Sequence, residues 1–200
     1  MVRVKICGMM RMADIEAVNE YKPEYAGFIF APSRRRLNVE LACELCAALD
    51  KDILRVGVFV NEKQQVMSHV KQQCGLDILQ IYQDNYAEQI VADGLVWRAI
   101  RVKDARGLSL IDESPADAYL LDAYSEKAYG GVGETFDWAL AAKAAERAKI
   151  VLAGGLTPDN VQEAVRTVMP FAVDVSSGVE TDGRKDADKI RQFIERARSI

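Results

Sequence analysis

The feature that most restricts how this 200-residue chain can fold is a pattern that comes round eight times: a short β-branched or aromatic run, a polar or glycine turn, then an amphipathic stretch. Each round reads as a strand followed by a helix, and strands are expected at 3–7, 25–30, 53–60, 77–82, 96–102, 118–122, 150–153 and 172–175. Several are apolar almost throughout, as strands covered on both faces are. Their C-terminal ends, Cys7, Phe30, Val60, Tyr82, Val102, Asp122, Gly154 and Gly178, lie 23, 30, 22, 20, 20, 32 and 24 residues apart. Each interval holds one helix and short turns. An open doubly wound sheet is normally built from about five or six strands, so eight units favour closure. The expected architecture is α/β: a single (β/α)8 TIM barrel with minimal loops, one domain over residues 1–200.

Two helical stretches are clear. In Glu40 to Leu49 the pattern puts Leu41, Leu45, Ala48 and Leu49 on one face, and in Asp159 to Val168 it puts Val161, Ala164, Val165 and Val168 together. Thr157-Pro158-Asp159 opens the second, with Thr157 as N-cap and Pro158 at the first helical position. Between Lys103 and Pro115, Gly107 and Pro115 leave room only for a short or irregular helix.

Composition excludes several function classes. Half the residues are apolar, yet no run approaches the roughly 20 needed to cross a bilayer, and the N-terminus has no signal-peptide h-region. With four cysteines and no export signal, free thiols and a cytoplasmic location are expected. A net charge of -4 with dispersed Lys and Arg argues against nucleic acid, and Arg34-Arg35-Arg36 is the one basic cluster. The single histidine, His69, lies in a polar helical stretch, which disfavours histidine acid–base chemistry and a histidine metal site. Cys43 and Cys46 have CxxC spacing without a second ligand pair, so no metal is expected there.

In a barrel the chemistry sits at the C-terminal strand ends. Cys7 ends the first strand beside Lys5 and Gly8, where a partly exposed thiol with its thiolate stabilised serves as a base. Asp122 ends an apolar strand, where a carboxylate is costly unless paired or protonated, and this favours a functional role. Gly154-Gly155 and Ser176-Ser177-Gly178 end the seventh and eighth strands; small residues there expose backbone N–H groups and form a cup for phosphate. After the sixth strand comes a glycine-rich loop, 129–138, able to close over a ligand, without the GxxxxGK[ST] pattern of an ATP site.

Lys5-Ile6-Cys7-Gly8, Gly57-Val58-Phe59-Val60-Asn61, Leu121-Asp122, Thr135-Phe136-Asp137-Trp138, Leu152-Ala153-Gly154-Gly155-Leu156 and Asp174-Val175-Ser176-Ser177-Gly178-Val179-Glu180 run nearly end to end. In that order they resemble the phosphoribosylanthranilate isomerase family of tryptophan biosynthesis. The resemblance implies an Amadori rearrangement of N-(5-phosphoribosyl)anthranilate without cofactor or metal. It places the general base on Cys7 and the general acid on Asp122, and efficient turnover then requires a lowered thiol pKa and a raised carboxyl pKa. It puts the phosphate on the backbone around Gly154, Gly155, Ser176, Ser177 and Gly178, and Arg35 near the anthranilate carboxylate. Asp174 would orient substrate hydroxyls or hold the neighbourhood of the base. Two positions depart from the family pattern: Tyr82 stands where a histidine is common, and Glu134 where a lysine is common. The alternatives are a related aminoimidazole ribotide isomerase and a catalytically silent phosphate-binding barrel. A monomer acting on a small phosphorylated substrate is the default expectation.

Overall fold

A computed structural model describes residues 1–82, 94–102, 108–113, 115–123 and 138–200. Eight parallel strands close into a barrel in chain order: β1 (Arg3–Cys7), β2 (Tyr25–Ile29), β3 (Leu54–Val60), β4 (Ile78–Tyr82), β5 (Leu95–Val102), β6 (Ala118–Ala123), β7 (Ile150–Leu152) and β8 (Ala172–Val175). Strand β8 returns to pair with β1, where Lys5 lies opposite Asp174. The eight expected strands are all present, each bounded within a residue of its predicted ends. Around them lie α1 (Met12–Tyr21), α2 (Val39–Ala48), α3 (Gln64–Cys74), α4 (Leu110–Glu113), α5 (Trp138–Ala145), α6 (Val161–Val168) and α7 (Ala187–Arg198). No described helix is long and apolar enough to cross a membrane.

Alternation along each strand divides the apolar residues into two bodies. One face of the strands joins the helices in the outer core, with Val4, Ile6, Phe28, Phe59, Ile81, Leu121 and Val173 buried there. The other face fills the barrel with Tyr25, Val56, Ile78, Trp97, Ala99, Leu120, Val151 and Ala172. Tyr25 and Trp97 meet edge to face, their ring centroids 4.8 Å apart. One step further along the inward face, the polar residues Cys7, Gln80, Tyr82, Asp122 and Asp174 stand beside the apolar Ile29, Val58 and Val60 around one cavity. The packed barrel is the floor of that cavity.

Two helical expectations need correction. On α2 the buried face is Ala42, Leu45 and Cys46, continuing to Leu49, while Leu41 is 37% exposed and Ala48 is also exposed. The true stripe has i, i+3, i+4, i+7 spacing from Ala42, and Leu41 loses its place because the helix packs one position later. Helix α6 proper starts at Val161, behind a turn over 158–160. That turn is itself capped: Thr157 Oγ1 accepts from Asp159 N at 3.2 Å, and Thr157 N donates to Asn160 Oδ1 at 2.8 Å. The predicted face of α6 is buried as expected.

His69 is exposed on α3. Cys46 is buried under α2, and burial pushes its thiol up to about 12, which suits an inert packing residue. Between Lys103 and Pro115 the described residues hold a 3-10 stretch at 108–109 that runs into the four-residue α4. One element was not anticipated: β9 (Glu180–Thr181) and β10 (Arg184–Lys185) form a small antiparallel hairpin. Its two turn residues, Asp182 and Gly183, have φ of 51° and 74°, the left-handed pair that a two-residue hairpin turn needs.

Candidate active site

The nine residues singled out from the sequence, Cys7, Arg35, Asp122, Gly154, Gly155, Asp174, Ser176, Ser177 and Gly178, all border one cavity at the C-terminal end of the barrel. The glycine-rich loop with Glu134, and Gln83-Asp84 after β4, lie outside the described residues.

Cys7 is the last residue of β1 and pairs with Gly27 of β2. A Cβ at position 27 would stand 2.7 Å from the Cys7 Sγ and 3.0 Å from its Cα, so the glycine is what makes room for the thiol. Gly27→Ala is accordingly expected to displace the thiol and lower kcat by about tenfold with a smaller change in KM, since misplacing a reacting group by a fraction of an ångström to an ångström costs this much or more. Steady-state kinetics beside a thermal melt checks it; unchanged kcat in a folded variant would refute the spacing argument.

The thiol differs from expectation in one respect. It is 6% exposed rather than open, and its pKa is raised rather than lowered: burial pushes it up, Lys5 pulls it down, Asp174 pushes it up and Lys185 pulls it down. Desolvation outweighs the nearby cations. Lys5 points inward on the same face of β1, with no exposed surface, and its Nζ donates to Asp174 Oδ1 at 2.9 Å. Burial works against the Lys5 charge, but Asp174 and then Cys7 outweigh it and the lysine pKa is raised. A buried cation therefore stands beside the thiol, held there by β8.

Asp122, 5% exposed, ends β6 on the inward face, and Tyr82 OH donates to its Oδ2 at 3.2 Å. Burial, then the Asp122 charge, raises the tyrosine pKa well above its ordinary value, so Tyr82 stays a neutral donor. The sequence reading identified Tyr82 as a departure but missed this bond. Arg101 pairs with Asp122 across β5 and β6, and its guanidinium lies 5.8 Å from the centre of the Tyr82 ring. Gln80 of β4 is 1% exposed and borders the cavity, and its Oε1 has no hydrogen-bond partner among the described residues. A buried acceptor of this kind is suited to a ligand hydroxyl.

The cup is made by two strand ends pressed together. Gly154 and Gly155 take successive left-handed conformations, φ 85° and 66°, which side chains with a Cβ resist. Asn160 Nδ2 donates to the Gly155 carbonyl at 2.9 Å and holds that turn. Opposite it, Gly178 lies so close to Leu156 that a Cβ would fall 1.9 Å from the Leu156 carbonyl oxygen. Ser177–Val179 form a 3-10 turn at the end of β8. The Ser176 hydroxyl is already engaged, donating to the Cys7 carbonyl at 3.0 Å.

Of the three arginines after β2, Arg35 is the one turned inward. It is 7% exposed and borders the cavity, whereas the Arg34 side chain is 60% exposed and Arg36 is also exposed. Arg35 makes a bidentate pair with Glu180, Nε to Oε1 at 2.7 Å and Nη2 to Oε2 at 2.9 Å. Burial pushes the Glu180 carboxyl up, but the Arg35 hydrogen bonds and the Lys185 charge hold it at about 2. Neither Glu180 nor Lys185 was assigned a role from sequence.

What a cavity can do is limited by what its walls hold. The walls of this one hold a thiol, a carboxyl, an inward arginine and two strand ends of small residues. Those are the means of a (β/α)8-barrel enzyme that moves protons on a small phosphorylated molecule. Within that class the chain belongs to the family described as N-(5'-phosphoribosyl)anthranilate (PRA) isomerase, whose model matches residues 4–196. The N-(5'-phosphoribosyl)anthranilate isomerase of Acetivibrio thermocellus is 49% identical over 210 residues, covering 99% of this chain and 96% of that one. The crystal structure of phosphoribosyl anthranilate isomerase from Thermotoga maritima is 39% identical over the whole of both chains, with a TM-score of 0.91. A phosphoribosyl anthranilate isomerase in complex with reduced 1-(o-carboxyphenylamino)-1-deoxyribulose 5-phosphate is 36% identical, again over the whole of both chains, with a TM-score of 0.87.

Proposed function

We propose that this chain converts N-(5-phosphoribosyl)anthranilate into 1-(2-carboxyphenylamino)-1-deoxyribulose 5-phosphate, the Amadori step of tryptophan biosynthesis, with Cys7 as base and Asp122 as acid. The observation that carries this reading is that thiol, carboxyl, anion cup and one inward arginine border a single cavity in a member of the isomerase family. The cup around Gly154, Gly155, Ser176, Ser177 and Gly178 takes the phosphate, and Arg35, on another side of the cavity, takes the anthranilate carboxylate. Asp174 and Gln80, between them, accept from ribose hydroxyls.

Asp122 begins protonated and gives its proton to the ribose ring oxygen. The C1′–O bond breaks, and the nitrogen lone pair forms a Schiff base. The hydroxyl of Tyr82 then donates to the carboxylate that remains. The Cys7 thiolate removes the proton from C2′, the electrons move toward the iminium, and an enolamine results. Tautomerisation of the enolamine gives the ketone. Lys5 supplies the charge that the thiolate needs in a buried place.

The test is turnover of freshly generated phosphoribosylanthranilate, followed by loss of anthranilate fluorescence. Turnover by the native chain is expected; a folded native chain without turnover would move the reading to a silent phosphate-binding barrel. We take the active form to be a monomer, and light scattering on the active protein checks that.

A further inference from the structure

Glu180 stands behind the cavity wall with its side chain 5% exposed. Besides Arg35 it accepts from Lys185 Nζ at 2.8 Å and from Arg34 Nη2 at 2.7 Å. Lys185 is buried too, its side chain 2% exposed, and its Nζ also donates to the Ser176 carbonyl at 2.9 Å. One carboxylate, carried by β9, thus fixes the guanidinium on the β2 side of the cavity. Its other partner, Lys185 of β10, holds the Ser176 carbonyl on the β8 side by a bond that does not pass through Glu180. A bidentate pair sets the plane of a guanidinium as well as its distance. The pair uses Nε and Nη2, so Nη1 takes no part in it.

We propose that Glu180 is a positioning residue for carboxylate recognition: it holds Arg35 in the orientation that presents the Nη1 edge to the substrate's aryl carboxylate. The proposal rests on the isomerase reading above, which supplies that carboxylate. Glu180 does not touch substrate and acts through Arg35. The aryl carboxylate takes no part in the bonds made and broken at C1′ and C2′ and is gripped alike before and during reaction. Losing the grip therefore raises KM and spares kcat.

The experiment compares native chain with Glu180→Gln. Turnover should show KM raised by about tenfold or more with kcat within about threefold, because breaking a buried charge pair releases the partner's geometry. Calorimetry then reads two ligands, the reduced product analogue and the same analogue without its aryl carboxylate. The variant should weaken the first by about tenfold and the second by less than about threefold, a difference that general loosening of the fold does not produce. In an Arg35→Gln background, Glu180→Gln should add no further rise in KM. Where the glutamine variant does not fold, Glu180→Asp keeps the charge but is one methylene too short to span both nitrogens, and the same KM rise is expected. Unchanged KM, or equal weakening of both ligands, in a background of active native enzyme overturns the proposal alone. A native chain without turnover overturns the isomerase reading and this proposal together.

Discussion

Cys7→Ala and Asp122→Asn are each expected to lower kcat by at least about a hundredfold, the usual contribution of a positioned acid or base, while leaving the barrel folded. Both side chains border the cavity without forming part of the apolar plug beneath it, so the loss falls on chemistry rather than on stability. The two should differ in their response to pH. In the native chain the base works only as thiolate, and burial raises the Cys7 pKa. Native kcat/KM should therefore be bell-shaped in pH, because the reaction needs Cys7 as thiolate and Asp122 protonated at once. Each variant removes one of the two titrations: the residual activity of Asp122→Asn should only climb with pH, through the raised thiol pKa, and that of Cys7→Ala should lose this rise. Fluorescence turnover across pH with circular dichroism at each end measures both effects. Full activity in Cys7→Ala would remove the thiol from the mechanism.

Lys5→Met should cost about 3–5 kcal/mol in unfolding free energy, because it strands the buried Asp174 carboxylate without its cation. Lys5 has no exposed surface and the Asp174 side chain is 10% exposed, so solvent screens this pair weakly. The double variant Lys5→Met/Asp174→Asn should recover much of the loss, since two neutral groups need no partner charge. Urea unfolding of the native chain, Lys5→Met and the double variant measures it, and a single-variant loss below about 1 kcal/mol would mean the pair behaves like a surface pair. The pH dependence has a fixed sign. Lys5 has a folded pKa raised above its ordinary 10.5, so its contribution is fully present below that value and fades as pH rises through the folded one.

The strand pattern was readable because a closed parallel barrel forces each strand into a short apolar run, and a short run has few alternative registers. Helix faces were less so: on α2 the apolar residues surround much of the cylinder, and Leu41 and Ala42 differ only in which way tertiary packing turns them. The turn before α6 held back the helix start because Thr157 and Asn160 cap each other across it. For the site, Cys7, Asp122 and the two glycine-bearing strand ends were found because residue type and strand position coincide. Glu180 and Lys185 carried no comparable local sign. Their partners lie 145 residues away at Arg35 and nine away at Ser176, and a contact of the first kind exists only once the chain has closed. The hairpin that carries them has a local sign, the Asp182-Gly183 turn, but its strands are two polar pairs without the apolar run that marks the barrel strands. The expected fall in the thiol pKa failed for a related reason. Lys5 was visible beside Cys7, but how deeply both are buried was not.

The seam between β1 and β8 is joined by two side-chain bonds, Lys5 to Asp174 and Ser176 to the Cys7 carbonyl, each reaching across 169 residues of chain. During synthesis the base therefore emerges among the first residues and waits for almost the last to be set in place. A chain halted after seven strands has the thiol and the carboxyl group but neither the cation's anchor nor the second half of the cup. Turnover, in such a molecule, reports completion: the appearance of activity during refolding should coincide with the meeting of the chain's two ends, not with the earlier gain of helix.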